Sequence, residues 1–362
     1  KAVAIRTGVA LERTANGGDA VRAIASLPAL TGSWRLPGGG IFQHPQGTFP
    51  INRDALTNPQ FVEDSRNSVN LFDLASALSP DAVVPIKSLF VYNANPVIAA
   101  ANQLKLLENL CREDLFTVVS EIFQTDTCDY ADILLPATSQ MEQKDLMYSW
   151  GHYNIQYNQK AIEPLGEAVS NTELFRRLAQ VFLFGDDVFT RDDDEIMSKA
   201  MLCDHTNLDG ITLQSLTEQG FARLNVGDPK NRTPHRNGEF PTASGKFEFA
   251  SSQCEAGGNM LVVYRQGVGD KKKYPAVDAL PSYKPNAVPD DGFVLISPKH
   301  HYLLNSGYAN FNLDNEVANK QMVMINTADA EVRGIKQGEK LTLWNDLAEV
   351  SVFANVTDDV IK

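Results

Sequence analysis

Four cysteines are spread over 362 residues, at Cys111, Cys128, Cys203 and Cys254, with no C-x-x-C pair and no histidine at metal-ligand spacing. That excludes a zinc ribbon or an iron–sulfur cluster built by this chain alone and makes buried free thiols the expectation. Hydrophobic runs are short as well. None reaches the ~18 apolar residues that suggest a membrane-spanning helix, so no membrane contact is expected of this segment. Positive charge is scarce: 32 Lys and Arg stand against 45 Asp and Glu, a net charge of −13. A nucleic-acid backbone and an anionic membrane are poor partners for such a surface, although backbone amides can still hold small anions locally. No G-x-G-x-x-G follows a strand, and neither a G-x-S-x-G elbow nor an H-E-x-x-H pair occurs. Gly245-Lys246 is followed by Phe247 and lacks the earlier glycine of a P-loop. Ordinary dinucleotide-fingerprint, hydrolase, zinc-protease and P-loop chemistries therefore lose their main support.

What is present is a globular composition, 43% apolar and 21% charged, long enough for two or three domains. Residues 1–40 read as strand (Ala2-Val3-Ala4-Ile5), glycine turn (Gly8), helix (Ala20 to Leu30) and glycine stop (Gly38-Gly39-Gly40). Residues 41–80 are polar and turn-rich, a lid-like surface stretch. Ser88 to Tyr92 is a buried-type strand ending at Asn93-Ala94-Asn95-Pro96, and Val97 to Leu110 carries Ile98, Leu104, Leu107 and Leu110 at helical spacing. Leu115 to Val119 and Ile133-Leu134-Leu135 complete a parallel unit, which places Asn93 to Pro96 and Glu121 to Thr127 on one ligand-facing rim. Residues 171–184 and 192–203 read as helices, capped by Asn171 and Thr172 and by Asp192 to Asp194. Residues 225–290 look like a connection, with Lys271-Lys272-Lys273 as solvated loop charge. Phe293 to Ile296, Met322 to Ile325, Lys340 to Trp344 and Glu349 to Val356 read as short strands that a small barrel would close. The fold class is α/β: a parallel-sheet, dinucleotide-binding-like region with helices on both faces over 1–250, a linker over 251–290, and a truncated six-stranded-type β-barrel over 291–362.

Six ordered segments resemble one family. Gly8-Val9-Ala10-Leu11-Glu12-Arg13 with Asn16-Gly17-Gly18 is similar to a turn of the form G-x-x-x-Q-R followed by N-G-G. ASLPALTGSWRLPGGG (25–40) resembles L-x-x-L-T-G-x-x-G-x-P-G-G-G, and YNANP (92–96) resembles a strand-end loop. EIFQTDTCDYADILLP (121–136), with Glu142 beyond it, is similar to D-x-F-x-T-E-T-x-x-x-A-D-x-x-L-P. FPTASGKFEFAS (240–251) resembles T-P-S-G-K-I-E-F-x-S, and SPKHHYLLNSGYAN (297–310), with Asn326, Gly334 and Gly338, resembles a dinucleotide-binding barrel. Together these resemble the molybdopterin oxidoreductases of the dimethyl sulfoxide reductase, formate dehydrogenase and nitrate reductase type. Departures are Glu12 for Gln, Arg35 for Gly and Glu121 for Asp.

The resemblance implies a bis-molybdopterin guanine dinucleotide cofactor with molybdenum or tungsten. It implies cofactor contacts at Gly8, Arg13, Asn95, Pro96, Glu121, Thr125, Asp132, Lys299, His301, Asn305, Ser306 and Asn326, with Gly8, Asn95, Thr125 and Asn305 lining two crevices. A carboxylate at Glu121 or Asp132 could accept from the N1 and N2 hydrogens of guanine, Thr125 could hold pyrophosphate, and Gly8, Gly38, Gly39 and Gly40 would let main chain approach the cofactor. No catalytic residue and no metal ligand is assigned within the chain. Both the ligand and any iron–sulfur cluster are expected before Lys1, making this an internal fragment that is inactive alone. The implied partners are a small-molecule substrate and an electron-transfer protein or subunit, in the cytoplasm, with periplasmic export as the alternative. Residues 150–167 resemble soluble formate-dehydrogenase-like members. The rival reading is a non-catalytic scaffold or electron-transfer subunit, as in respiratory complex I.

Overall fold

The computed structural model describes residues 2–14, 16–43, 46–61, 69–228, 232–261, 271–274, 276–285, 292–299, 304–307, 310 and 321–361. In chain order, strand β1 (Ala4–Arg6), helix α1 (Gly17–Leu30), strand β2 (Gly40–Phe42) and helix α2 (Arg53–Thr57) come first. Next are α3 (Leu74–Ala77), β3 (Ser88–Tyr92), α4 (Pro96–Ala99), α5 (Gln103–Leu110), β4 (Phe116–Glu121) and β5 (Ile133–Pro136). Then follow β6 (Asp145–Tyr148), β7 (Asn154–Asn158), α6 (Asn171–Val181), α7 (Asp193–Met201), α8 (Leu213–Gln219) and β8 (Phe221–Arg223). The last are α9 (Ser252–Ala256), β9 (Gly258–Leu261), β10 (Lys271–Tyr274), β11 (Met322–Ile325), α10 (Thr327–Arg333), β12 (Lys340–Trp344) and β13 (Glu349–Val356).

Two compact units form: Lys1–Asp64 with Ser139–Pro164 and Ser170–Leu295, and Ser65–Thr138 with Leu165–Val169 and Ile296–Lys362. In the first, β1 and β2 pair in parallel, and β6, β7 and β8 make an antiparallel sheet. Its core gathers Phe49, Ile155, Tyr157, Met197, Met201, Leu208, Leu216 and Leu224. Ile155 and Leu216 are wholly buried, each contributing about 2 kcal/mol by removal from water. Helix α6 starts where Ser170 Oγ accepts from Glu173 N, so Ser170 rather than Asn171 or Thr172 caps it; a residue already inside the helix cannot supply the flanking oxygen. Helix α7 starts as its acidic run foretold, with Asp192 Oδ1 accepting from Glu195 N at 2.8 Å.

In the second unit β3, β4 and β5 are parallel neighbours in that order. Leu89, Val91 and Val119 pack against clusters that include Ala75, Leu78, Val97, Leu106, Leu110 and Cys128. The helix expected over 97–110 is two: Ala100 is extended and Asn102 adopts φ +56, in the left-handed region that asparagine tolerates. The break resets the helical phase. Val97, Leu106 and Leu110 are buried, whereas Ile98 and Leu104 face out.

Three further expectations change. The stretch after residue 41 is anchored rather than lid-like, since Phe49, Ala75 and Leu78 are buried. Lys271–Tyr274 is a strand paired antiparallel with Gly258–Leu261, its backbone satisfied by a partner instead of by water. At the carboxyl end β11, β13 and β12 form a three-stranded mixed sheet, and among the described residues no closed barrel is present. Phe293 to Ile296 is not a strand, because an apolar run becomes one only beside a partner edge and no described strand pairs with it.

Candidate functional site: the rim of the parallel sheet

The register of the parallel sheet sets Tyr92 beside Ser120 and Glu121 beside Pro136, so the carboxyl ends of the three strands lie together. Such ends are where open α/β sheets take ligands. After β3 the chain turns at Asn93, φ +52, and reaches Asn95 and Pro96, both buried. After β4 it makes a tight 3-10 turn at Asp126–Tyr130. One buried polar contact joins the two loops. Thr127 Oγ1 donates to Asn95 Oδ1 at 2.6 Å and accepts from Val97 N at 3.2 Å. Asn95 is 8% exposed and Thr127 wholly buried, so each would strand the other's polar group if lost.

Beside this lock, Glu121 is half-buried and its Oε1 accepts from Ile122 N at 2.8 Å. The Thr125 hydroxyl, also half-buried, meets only the Cys128 thiol at 3.6 Å among the described residues. A contact that weak leaves its hydrogen-bonding capacity open. Sequence reasoning named Asn95, Pro96, Glu121 and Thr125 and missed Thr127, which lay inside the quoted segment. The signal was there: of two threonines two apart in a tight turn, one points into the protein and one outward.

Asp132 is not on this rim. It precedes Ile133, which pairs with Val118 at the amino end of the sheet, and its Oδ2 accepts from Thr117 N at 2.7 Å while its own N donates to Thr117 O at 2.8 Å. A carboxylate committed to closing the sheet is not offered to a guanine edge. Glu142 is likewise committed, its Oε2 accepting from Ser139 N at 2.7 Å and from Ser139 Oγ at 2.8 Å. In the carboxyl-terminal part Asn326 caps α10, accepting from Ala328 N at 3.0 Å, and donates to Val360 O at 2.8 Å. Both ends of its amide serve the fold. Asn305, φ +55, forms a turn in which Gly307 N donates to Leu304 O at 2.8 Å. Ser306 is half-buried and Lys299 exposed. These three make no hydrogen bond with the rim among the described residues, and His301 lies outside the described residues.

In the first unit the glycines divide into two kinds. Gly8, between β1 and a 3-10 turn (Val9–Arg13), has φ −105, and a Cβ there would meet nothing within 4 Å among the described residues. Neither backbone conformation nor packing calls for glycine. Gly39 and Gly40 are different: a Cβ would stand 2.1 Å from Ser33 O in one and 2.6 Å from the Trp34 ring in the other. Their bareness serves the chain's own packing, a correction to the expectation that they admit a ligand; Gly38, at φ +74, is open. Arg13 is exposed. Asn16 does not cap α1 with its side chain; Nδ2 donates to Ser282 O and Lys284 O instead. Arg22 joins the same strap, donating to Asp278 O and Ala279 O.

A cleft of about 520 Å³ in the first unit is lined by Cys203, His205, Leu208 and Ile211 among others. Its thiol is not poised for attack. Cys203 Sγ donates to Pro50 O at 2.7 Å, and burial, then the charge of Asp204, pushes the thiol pKa up. The expectation of buried thiols holds for Cys128; Cys203 and Cys254 are half-buried and Cys111 is exposed. Among the described residues no group of three or more His, Cys, Asp or Glu side chains is placed to hold a metal ion.

At the rim of the parallel sheet, a hydroxyl with spare capacity at Thr125 and a half-buried carboxylate at Glu121 are groups that a ligand carrying phosphates and a purine can use. Comparison with known proteins gives the chain's family. Residues 1–181 match the family model for molybdopterin oxidoreductase and residues 293–362 that for the molybdopterin dinucleotide binding domain. The chain belongs to the molybdopterin oxidoreductase family. It is 36% identical over 361 residues to the probable oxidoreductase YoaE of Bacillus subtilis, covering 99% of this chain and 49% of that one. Dimethyl sulfoxide reductase DmsA of Escherichia coli is 27% identical over 392 residues, covering 98% of this chain and 46% of its own length. The acetylene hydratase from Pelobacter acetylenicus superposes with a TM-score of 0.50 at 19% identity, covering 84% of this chain and 41% of the hydratase, which speaks to fold alone. The chain thus spans about half the length of the curated relatives it matches.

Proposed function

We propose that this polypeptide forms cofactor-cradling walls of a molybdenum or tungsten oxidoreductase that binds a bis-molybdopterin guanine dinucleotide and acts on a small substrate. When bound, that cofactor supplies two-electron exchange at its metal, with electronics tuned by the dithiolene sulfurs. The chain's own residues bind and orient it. Thr125 offers its hydroxyl to a pyrophosphate oxygen, and Glu121 accepts from the N–H edge of a purine. Gly8 lets backbone amides stand close to a flat ring system. The Asn95–Thr127 pair holds both rim loops in place before the ligand arrives, so binding need not bear the cost of ordering them.

The observation that supports this reading best is the Asn95–Thr127 lock at the carboxyl rim of a parallel sheet, within a chain of this family. Purifying the protein as its source cells make it, then measuring molybdenum, tungsten and acid-released guanine, tests it. Metal with guanine in excess over metal, together with dye reduction coupled to a small oxidisable substrate, is the expected result. Folded protein without metal or guanine would favour the scaffold reading instead.

A further inference from the structure

We propose that Asn16 and Arg22 are positioning residues for the cofactor, closing a clasp on residues 278–284 without which the glycine turn does not keep its ligand. The inference rests on the reading that this chain cradles a guanine dinucleotide cofactor. The strap has no helix or strand of its own, and Pro281 and Pro285 bias Leu280 and Lys284 toward extended backbone. Side chains take its carbonyls instead of a neighbouring strand. Asn16 Nδ2 donates to Ser282 O at 3.4 Å and to Lys284 O at 3.3 Å. Arg22 Nη1 donates to Asp278 O at 3.0 Å, and its Nη2 donates to Ala279 O. Asp19 Oδ1 accepts from the same Nη1 at 3.0 Å and so aims the guanidinium. Near its start the strap is also tied to α9, with Ser251 N donating to Ala279 O at 3.0 Å and Val277 N donating to Cys254 O at 2.9 Å.

The amide of Asn16 is diverted to this task. Asparagine just before a helix ordinarily caps it, its side-chain oxygen accepting from an N–H of the first turn. Asn16 makes no such bond, so α1 begins without a side-chain cap. A forgone cap is a local rule broken in favour of a contact far along the chain, which is where function is to be looked for. The same residue adjoins the turn assigned to the ligand. The 3-10 turn Val9–Arg13 starts after Gly8, and Gly17 N donates to Thr14 O at 3.0 Å, so Gly8, the start of α1 and the strap form one run of contacts. A ligand that orders the turn therefore favours the closed strap, and the closed strap favours the ligand by the same factor.

The test compares the parent with Asn16→Asp, both isolated from source cells. Acid-released guanine is measured, then chymotryptic cleavage after Tyr283, which is 87% exposed, and the thermal midpoint of the cofactor-free protein. Aspartate keeps the shape of asparagine, cannot donate to the two carbonyls, and can cap α1 with a charge that suits a helix start. Guanine should fall and cleavage should rise, each about fivefold, while the thermal midpoint is no lower than the parent's. In the parent, bound cofactor should slow the same cleavage. Undiminished guanine in Asn16→Asp, unchanged cleavage, or a thermal midpoint that falls along with the guanine overturns the proposal. A parent isolated without guanine overturns the proposed function and the clasp together, an outcome read on the parent before any variant is compared.

Discussion

At the rim of the parallel sheet, position is fixed by side chains: buried Asn95 and Thr127 hold two loops through one hydrogen-bonded pair. At the turn after β1 no such pair is present among the described residues, and Gly8 is open on the side where a Cβ would stand. The glycine loop at Gly39 and Gly40 is a third case, bare because Ser33 and Trp34 fill the space. A glycine in a candidate ligand-binding segment and a polar residue at a strand end therefore cannot be read alike. Each has to be asked whether the chain itself already uses it. Where the chain does, substitution strikes the fold; where it does not, substitution strikes the ligand.

The largest effect expected is at Gly39. Alanine there drives a Cβ into a backbone oxygen, and a loss of ~3 kcal/mol or more is expected in denaturant unfolding. Next comes Thr127→Val, which leaves the buried Val97 N–H and the Asn95 carbonyl without their partner. It should cost about 1–3 kcal/mol, and Asn95→Leu combined with it should cost less than the sum of the two changes. Gly8→Ala should do the reverse: within ~0.5 kcal/mol of the parent in stability, but with several-fold less guanine retained on purification. If Gly8→Ala unfolds the protein or keeps its guanine, the distinction between the two kinds of glycine fails.

The smallest effect concerns Asp145, whose carboxyl pKa is raised by burial and by the nearby charge of Asp193, against a lowering hydrogen bond from Leu146 N. A raised folded value means the unfolded chain ionises more readily, so the group opposes folding above its folded pKa and stops doing so as pH falls below the ordinary 3.8. Asp145→Asn should therefore stabilise at neutral pH and lose that advantage near pH 3, checked by urea midpoints across pH. Glu173 runs the other way. Hydrogen bonds from Arg177 and Arg176 lower its pKa, so its contribution holds at neutral pH and fades as pH falls through that lowered value.

Much of this was legible from sequence. The run Ser88 to Tyr92 ending in Asn-Ala-Asn-Pro marked a parallel strand and its rim, because apolar burial and a turn signal agreed. The rest turned on register and phase. Asp132 before an apolar run reads the same whether it meets a ligand or closes a sheet, and only its pairing with Thr117 separates the two. Asn102 breaks a helix through a backbone angle that periodicity does not carry. The three lysines at 271–273 read as loop charge because strand pairing depends on a distant partner, Gly258–Leu261. Leu183 takes the left-handed position where glycine is usual, so α6 stops at Val181, short of the 171–184 read from the sequence.

Whether the rim of the parallel sheet holds the cofactor is decided by amide hydrogen exchange on cofactor-loaded against cofactor-free protein. Loading should slow exchange at 93–97, at 121–127 and around Gly8, while Thr117 and Asp132 at the far end of the sheet stay as they were. Protection confined to other segments, with the rim unchanged, would contradict it.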